Sequence, residues 1–243
     1  MTPTEDRTPG HLPPVSHLPV EGDGEAGVVL FGGTFDPPHV GHIALAAAAR
    51  DAAAPGAWLV FVPAARSPHK ERGPIASDAD RVEMLRLAIA EAPRAVVWTD
   101  EIDRAEAGGR SGASYWVTTL ERARTALGPE APMRFIVGAD QAVAFRRWHE
   151  PERILELADP VVLVREPIGS AAALEAAMRA SGEADPDWLE RWRGRCVRAP
   201  KSDASSTAVR AALAAGDART ASVMLTPAVA GYIDERGLYC ENE

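Results

Sequence analysis

The sequence of 243 residues contains only two cysteines, Cys196 and Cys240, and no CxxC pair. A disulfide framework or a zinc site built on cysteines is therefore not indicated, and free thiols in a reducing cytoplasm are expected. No apolar run approaches the length of a membrane-spanning helix. The N-terminus also lacks the order of a basic and then an apolar segment that marks a secretory signal. We therefore expect a cytoplasmic protein without a membrane partner.

Positive charge is also scarce, since 26 lysines and arginines stand against 35 aspartates and glutamates, which gives a net charge of -9. An acidic chain is a poor general binder of nucleic acid, so no nucleic-acid partner is expected. Any phosphate group must be bound by local backbone donors and a few chosen cations. The hydrophobic content of 46% and the length suit one sizeable α/β domain with its own core.

The most informative stretch is residues 31–42, Phe-Gly-Gly-Thr-Phe-Asp-Pro-Pro-His-Val-Gly-His. It follows an apolar run that is typical of a buried strand, and it precedes an alanine-rich segment that favours a helix. Open α/β sheets bind their ligands at such strand-to-helix turns. Gly32 and Gly33 allow backbone N–H groups to approach an anion without a side chain in between.

Two histidines, His39 and His42, lie three residues apart in this stretch and therefore face the same way at the start of the helix. Together with the free N–H groups and the positive dipole of the helix N-terminus, they predict a phosphate site. Histidines of a loop are more often simply solvated, but the length of the whole motif makes accident uncommon. Zinc binding is the weaker interpretation, because no third ligand of the usual spacing is nearby, and no metal ligand is assigned.

A second polar cluster, Ser205-Ser206-Thr207, leads into an apolar, alanine-rich helix. Its hydroxyl groups are typical of a helix N-cap. Arg210 follows Ser206 by one turn, so its guanidinium group shares the face where the capping N–H groups point. A capped helix without a ligand is the plainer interpretation. Two such helix N-termini, far apart in the sequence, together favour a phosphate site.

Two further positions have both a structural and a functional interpretation. Asp140, in the segment Gly138-Ala139-Asp140 that ends an apolar run, can accept hydrogen bonds from ribose hydroxyls or simply cap a helix. Trp148 can anchor the core or stack on an electron-poor ring.

The stretch at residues 31–42 resembles the signature of the HxGH nucleotidyltransferase superfamily, and its form is most similar to that of the bacterial nicotinate-nucleotide adenylyltransferases. The resemblance covers most of residues 27–240 and is weakest across 100–112 and 168–198. It implies an α/β fold with a Rossmann-like, doubly wound parallel sheet of the adenylyltransferase type. It also implies adenylyl transfer from ATP to nicotinate mononucleotide with Mg²⁺, giving nicotinate adenine dinucleotide and pyrophosphate without a covalent intermediate.

The resemblance also implies which residues form the site. The expected catalytic residues are His39, His42 and Arg210. The residues expected to bind ATP are Gly32, Gly33, Thr34, His39, His42, Gly138, Asp140, Ser205, Ser206, Thr207 and Arg210. The residues expected to contact the pyridine nucleotide are Phe35, Asp36, Lys70, Tyr115, Trp116 and Trp148.

One of these positions lies in a segment that is expected to be a loop, and a second expected loop precedes Tyr115 and Trp116. Lys70 follows Ser-Pro-His in a polar stretch that is either a solvated loop or a mobile phosphate contact. Residues 101–114 are charged and rich in glycine, which also predicts a loop. Trp116 stands where the family has a threonine, so the hydroxyl of that residue is missing in this chain.

The N-terminal end and one internal segment have a different composition from the rest of the chain. Residues 1–26 are rich in proline, glycine and acidic residues without periodicity, which predicts a disordered tail before a single nucleotidyltransferase domain at 27–243. Residues 168–198 predict a helical insertion. Trp188 and Trp192 share one helical face there and pack either on the core or on a partner.

Other functions remain open from the sequence. A transferase of the same superfamily that uses phosphopantetheine or a cytidylyl donor is the nearest alternative, and a class I aminoacyl-tRNA synthetase is less compatible with the length of the chain. A nucleotide sensor without catalytic activity is the alternative from another class. The sequence does not decide between nicotinate and nicotinamide as the pyridine, and a homo-oligomer is possible.

Overall fold

The computed structural model of the chain describes residues 16–20, 26–65, 73–107, 114–182 and 185–240. The strands in these ranges are β1 (Val28–Gly33), β2 (Trp58–Pro63), β3 (Ala95–Val97), β4 (Met133–Gly138), β5 (Asp159–Val164) and β6 (Cys196–Arg198). The helices are α1 (Val40–Ala53), α2 (Asp78–Ile89), α3 (Asp100–Ala107), α4 (Trp116–Leu127), α5 (Ala139–Val143), α6 (Pro151–Leu157), α7 (Ala171–Ala180), α8 (Pro186–Glu190), α9 (Ser206–Ala214), α10 (Ala218–Ser222) and α11 (Pro227–Arg236). No helix among the described residues is both long enough and apolar enough to cross a membrane.

The six strands form one parallel sheet in the order β3-β2-β1-β4-β5-β6. Helices connect the strands, as parallel neighbours require. The strand order reverses between β1 and β4, and the carboxyl ends of these two strands leave a crevice at that point. This topology confirms the α/β fold with a Rossmann-like, doubly wound parallel sheet.

Alternating side chains of the strands fill a core on each face of the sheet. Leu30 of β1 belongs to the core under α4 and α6, and its neighbour Val29 belongs to the core under α1 and α2. A third apolar cluster joins α2 to the C-terminal helices through Met84, Val209 and Val229. The C-terminal helices therefore pack on α2 rather than on the sheet, and this packing brings the start of α9 towards the turn after β1.

Residues 16–20 differ from the expected disordered tail. Leu18 is buried in the core on the α4 face, and Ser16 accepts a 3.1 Å hydrogen bond from the indole N–H of Trp98 through its carbonyl oxygen. The hydroxyl of Ser16 donates to Asp103 at 2.6 Å. A single leucine in a polar stretch carries no periodic signal, so its packing against distant residues could not be read from the sequence.

The expected helical insertion at 168–198 also differs in part, because Cys196–Arg198 forms the edge strand β6 and pairs with β5. Three residues are too few to show an alternating pattern. Trp188 and Trp192 of this region are both buried, with ring centroids 6.3 and 5.0 Å from that of Phe145. The two tryptophans therefore pack on the core, which settles the alternative that the sequence left open.

The prediction of a loop at 101–114 is wrong for its first part, because residues 101–107 belong to the helix α3. This helix buries Asp100 together with Glu101 and Ile102, so it has no apolar stripe of helical period. The carboxylate of Asp100 is compensated by Arg104 and Arg122, whose nitrogens lie 3.0 and 2.7 Å from its oxygens. Paired charges thus replace the apolar contacts that usually hold a helix.

We predict that Leu18→Ala lowers the free energy of unfolding by about 2–4 kcal/mol, because it leaves a cavity in the core. The measurement is urea unfolding at pH 7, with His17→Ala as the matched control because His17 is the exposed neighbour. Equal stabilities of the two variants would contradict the docking of residues 16–20.

Candidate active site

Contacts with side chains of the protein interior hold the turn after β1 in place. Phe35 has φ 49°, which is uncommon for a residue other than glycine, and its ring is buried against His42 with centroids 5.0 Å apart. The carbonyl oxygen of Thr34 accepts a 2.6 Å hydrogen bond from the fully buried Arg81. The side chain of Phe35 is therefore part of the core, and the expected substrate contact of this residue stays a prediction.

The carboxylate of Asp36 is also directed inwards. It accepts hydrogen bonds from the backbone N–H groups of Ile75 and Ala76 at 2.8 and 3.1 Å and from the hydroxyl of Tyr239 at 2.7 Å. Burial, together with the bond to this carboxylate, raises the pKa of Tyr239, so the phenol stays a neutral donor. The carboxylate oxygens of Asp36 therefore serve these three donors, and the expected substrate contact of this residue stays a prediction.

The two histidines lie together at the start of α1. Their ring centroids are 3.7 Å apart, and the backbone N–H of His39 donates to Nδ1 of His42 at 3.2 Å. Nδ1 of His39 is buried without a hydrogen-bond partner among the described residues, and burial lowers the pKa of this imidazole to about 4. Gly41 lies between them, and a Cβ atom there would be 2.6 Å from the hydroxyl oxygen of Ser202. The glycine therefore leaves room for the side chain of Ser202 beside the start of α1.

The start of α9 is attached to the same turn. Ser206 donates through its hydroxyl to the carbonyl oxygen of Pro37 at 2.8 Å. Arg210 donates to the carbonyl oxygen of Asp36 at 2.6 Å and contacts the hydroxyl of the exposed Thr207 at 3.5 Å. The two predicted phosphate sites, which lie far apart in the sequence, are thus adjacent in space.

Two more of the expected ATP contacts have hydrogen bonds within the protein. Ser205 is the N-cap of α9 and accepts from the N–H of Ala208 at 3.1 Å. Asp140 is exposed just after β4 and accepts from the side chain of Gln141 at 3.2 Å. A Cβ atom on Gly138 would lie 2.7 Å from a carboxylate oxygen of Asp140, so the glycine leaves room for this side chain at the crevice.

A pocket of about 180 Å³ opens beside the turn, next to the carboxyl ends of β1 and β4. A Cβ atom on Gly32 would lie 2.8 Å from the indole of Trp116, so the glycine allows this ring to form a wall of the pocket. The described residues that line the pocket are Gly32, Gly33, Thr34, Ala64, Glu101, Ser114, Tyr115, Trp116, Ile136, Trp148, His149 and Ile154.

Aromatic rings dominate the walls of this pocket. Trp148 is stacked on Phe145 with centroids 4.7 Å apart, and Tyr115 lies against the ring of His149 at 4.3 Å. The predicted pyridine contacts Tyr115, Trp116 and Trp148 are therefore brought together, and the pocket is suited to a flat ring. Lys70, the remaining predicted contact, lies outside the described residues.

The sequence analysis missed Glu101, which is buried and lines the pocket. The hydroxyl of Thr119 donates to its Oε1 at 2.7 Å, and the side chain of Ser114 is a further hydrogen-bond partner. Burial raises the pKa of Glu101. The one signal in the sequence is its place shortly after a strand, where functional carboxylates of such sheets occur.

Comparison with known proteins identifies relatives of the chain. The model of the cytidylyltransferase-like family matches residues 30–212. A probable nicotinate-nucleotide adenylyltransferase of Stenotrophomonas maltophilia is 39% identical over 225 residues, which covers 87% of this chain and 96% of the relative. One of Rhodopirellula baltica is 33% identical over 215 residues, covering 88% of this chain and 93% of the relative.

A solved structure has the same fold. The Plasmodium falciparum nicotinic acid mononucleotide adenylyltransferase, complexed with NaAD, matches with a TM-score of 0.63 at 16% identity, covering 87% of this chain and 96% of that one. At this identity the match supports the fold alone.

We predict that His39 stays neutral in the free protein until the pH falls well below 6.5 and titrates near 4. In the unfolded chain this imidazole gains its proton near 6.5, so the folded state loses stability as the pH falls from 6.5 towards 4. NMR titration of the imidazole measures the pKa, and His39→Gln provides both the assignment and a protein without this loss. A titration of His39 at 6.5 or above in the free protein would contradict the prediction.

Proposed function

The chain belongs to the nicotinate-nucleotide adenylyltransferases of the cytidylyltransferase-like family, and on that premise we propose that it transfers the adenylyl group of ATP to nicotinate mononucleotide in NAD biosynthesis. The products are nicotinate adenine dinucleotide and pyrophosphate. The names of the relatives support this substrate pair, and a solved structure of the same fold was obtained with NaAD.

One observation carries the proposal at the level of geometry. The starts of α1 and α9 are both joined to the turn Asp36–Pro37, at the point where the strand order reverses, and the aromatic pocket adjoins them. A helix N-terminus binds phosphate through its N–H groups and its dipole. Two such ends beside a slot for a flat ring suit the triphosphate of ATP and the mononucleotide with the pyridine ring.

The reaction is an in-line displacement at the α-phosphorus of ATP. An oxygen of the 5′-phosphate of the mononucleotide forms the new P–O bond, the bond to the β-phosphate breaks, and pyrophosphate leaves with the electron pair. No side chain of the chain forms a bond to the phosphorus. Positioning of the two phosphates and stabilisation of the charge that develops on them account for the acceleration.

In this mechanism His39 and His42 donate hydrogen bonds to phosphate oxygens at the reacting end. His39 is neutral in the free protein because of its burial, so a bound phosphate must supply the charge that favours its protonated form. Ser206, Thr207 and Arg210 bind the leaving β- and γ-phosphates from the other helix. Arg210 is already fixed by its bond to the turn, so little side-chain entropy is lost when ATP binds.

We place the adenylyl half of the site along Gly32, Gly33, Thr34, Gly138 and Asp140. The pyridine ring occupies the pocket among Tyr115, Trp116 and Trp148. We propose that Lys70 contacts a substrate phosphate.

The divalent ion of the reaction is proposed to be Mg²⁺. No group of three or more His, Cys, Asp or Glu side chains that could hold a metal is present in the described ranges. Mg²⁺ keeps several waters and is bound chiefly through substrate phosphates, so we propose that it enters with ATP. When bound, the ion neutralises charge on the phosphates, and the residues of the chain position them.

A binding protein without catalytic activity is less well supported. Its one favourable feature was a pair of tryptophans free to contact a partner, and Trp188 and Trp192 are buried in the core instead. We propose that one nucleotidyltransferase domain at 27–243, with residues 16–20 attached to its core through Leu18, acts in the cytoplasm.

The test is release of pyrophosphate from ATP and Mg²⁺ with nicotinate mononucleotide as the acceptor. We expect turnover by the wild-type protein and a fall in kcat of about 100-fold or more in His42→Ala, because a donor to the reacting phosphates is lost. His17→Ala is the control, since that histidine is exposed and distant in the sequence. Absence of pyrophosphate release by the folded wild-type protein, or turnover of His42→Ala at the wild-type rate, would contradict the proposal.

A further inference from the structure

The pocket proposed for the pyridine ring contains one buried acid. Among the described residues that line it, Glu101 is the one with a carboxyl group, and it is only 4% exposed. A ligand that enters beside the aromatic walls therefore meets this carboxyl group in a site of low polarity. The mechanism derived above does not use it.

The charged groups packed around Glu101 already have partners. Asp100 on α3 is bound by Arg104 of the same helix and by Arg122 of α4. Asp103 accepts from the hydroxyls of Ser16 and Thr99, and no cation pairs with it among the described residues.

The protonation state of Glu101 therefore sets the net charge of this group. With Glu101 ionised, the two arginines face three carboxylates, those of Asp100, Asp103 and Glu101. With Glu101 neutral, the arginines balance Asp100 and Asp103, and the group carries no net charge. Burial and the charge of Asp100 favour the neutral form and outweigh Arg104 and the hydrogen bonds of Thr119 and Ser114, so the pKa of Glu101 is raised.

The two candidate pyridine nucleotides differ at one group, a carboxylate in the nicotinate and an uncharged amide in the nicotinamide. Two carboxylates cannot both stay ionised side by side in a buried site, whereas a neutral carboxyl group can donate a strong hydrogen bond to an ionised one. A nicotinate carboxylate beside an ionised Glu101 would instead add a second excess negative charge to this group. An amide is uncharged, so it gains no charge-assisted hydrogen bond from the neutral carboxyl group.

Resting on the proposed function, we propose that Glu101 determines the preference for the acid: its carboxyl group is neutral when nicotinate mononucleotide is bound and donates a hydrogen bond to the nicotinate carboxylate. Where Glu101 is ionised in the free enzyme, one proton is taken up from solvent on binding. Thr119 positions the carboxyl group through its bond to Oε1, and Thr119 in turn accepts from Arg104 at 2.9 Å.

The experiment compares kcat/KM for nicotinate and nicotinamide mononucleotides between pH 6 and 9, in the wild-type protein, Glu101→Gln and Glu101→Leu. The ratio of acid to amide is the readout, because the 5′-phosphate and the histidines affect both ligands alike. We expect the wild-type ratio to fall about tenfold per pH unit above the pKa of Glu101. Glu101→Gln, which is neutral and keeps a donor, should hold the ratio constant with pH. Glu101→Leu should lower it at least tenfold at pH 6.

Glu106→Gln is the matched control, because Glu106 lies on the same helix and is exposed. Thermal unfolding establishes that each variant is folded. Calorimetry in buffers of different ionisation enthalpy counts the protons taken up, and an excess for the acid over the amide should vanish in Glu101→Gln.

An unchanged ratio in both Glu101 variants would overturn the inference. Equal losses for the two ligands would also overturn it, since Glu101 would then contact the ring or the ribose that they share. The proposed function fails differently, by the absence of pyrophosphate release from the wild-type protein with either nucleotide.

Discussion

The buried carboxylate of Asp36 is the interaction on which the arrangement of the site depends. It fixes the turn after β1 to the N–H groups of Ile75 and Ala76 before α2 and to the hydroxyl of Tyr239 after α11. The backbone carbonyl oxygen of Asp36 accepts a hydrogen bond from the guanidinium group of Arg210. One residue thus joins three parts of the chain, and each bond is costly to lose because an unsatisfied polar group would remain in the interior. The two helix N-termini meet because this residue holds the turn between them.

The fold divides the site into two chemically different halves at the reversal of strand order. One half offers backbone donors, histidines and Arg210, and the other offers aromatic rings and the buried carboxyl group of Glu101. The chain carries a net charge of -9, so attraction of phosphates must come from these local groups rather than from the overall field. Burial then makes each of them effective, because charges interact more strongly where water is excluded.

The sequence was sufficient where a feature is contiguous. The resemblance carried by the contiguous stretch at residues 31–42 implied the parallel sheet, and both predicted phosphate-binding clusters are short motifs. It was insufficient where contacts between residues distant in the sequence decide whether a side chain is buried. Leu18 packs in a core that is formed by residues distant from it in the sequence. Glu101 is buried in the pocket, where its carboxyl group accepts a hydrogen bond from Thr119. Phe35 and Asp36 lie within the predicted motif, but a motif does not reveal that their side chains turn inwards.

The most direct test of this account is the affinity of Asp36→Asn for ATP with Mg²⁺, measured by calorimetry below its unfolding temperature. The asparagine keeps one acceptor oxygen but places an NH₂ group against N–H donors, which weakens the hold on the turn. The account predicts that ATP binds at least about tenfold more weakly, while Asp203→Asn, an exposed change just before α9, binds as the wild type does. Wild-type affinity in folded Asp36→Asn would contradict the claim that this carboxylate brings the two helix N-termini into one phosphate site.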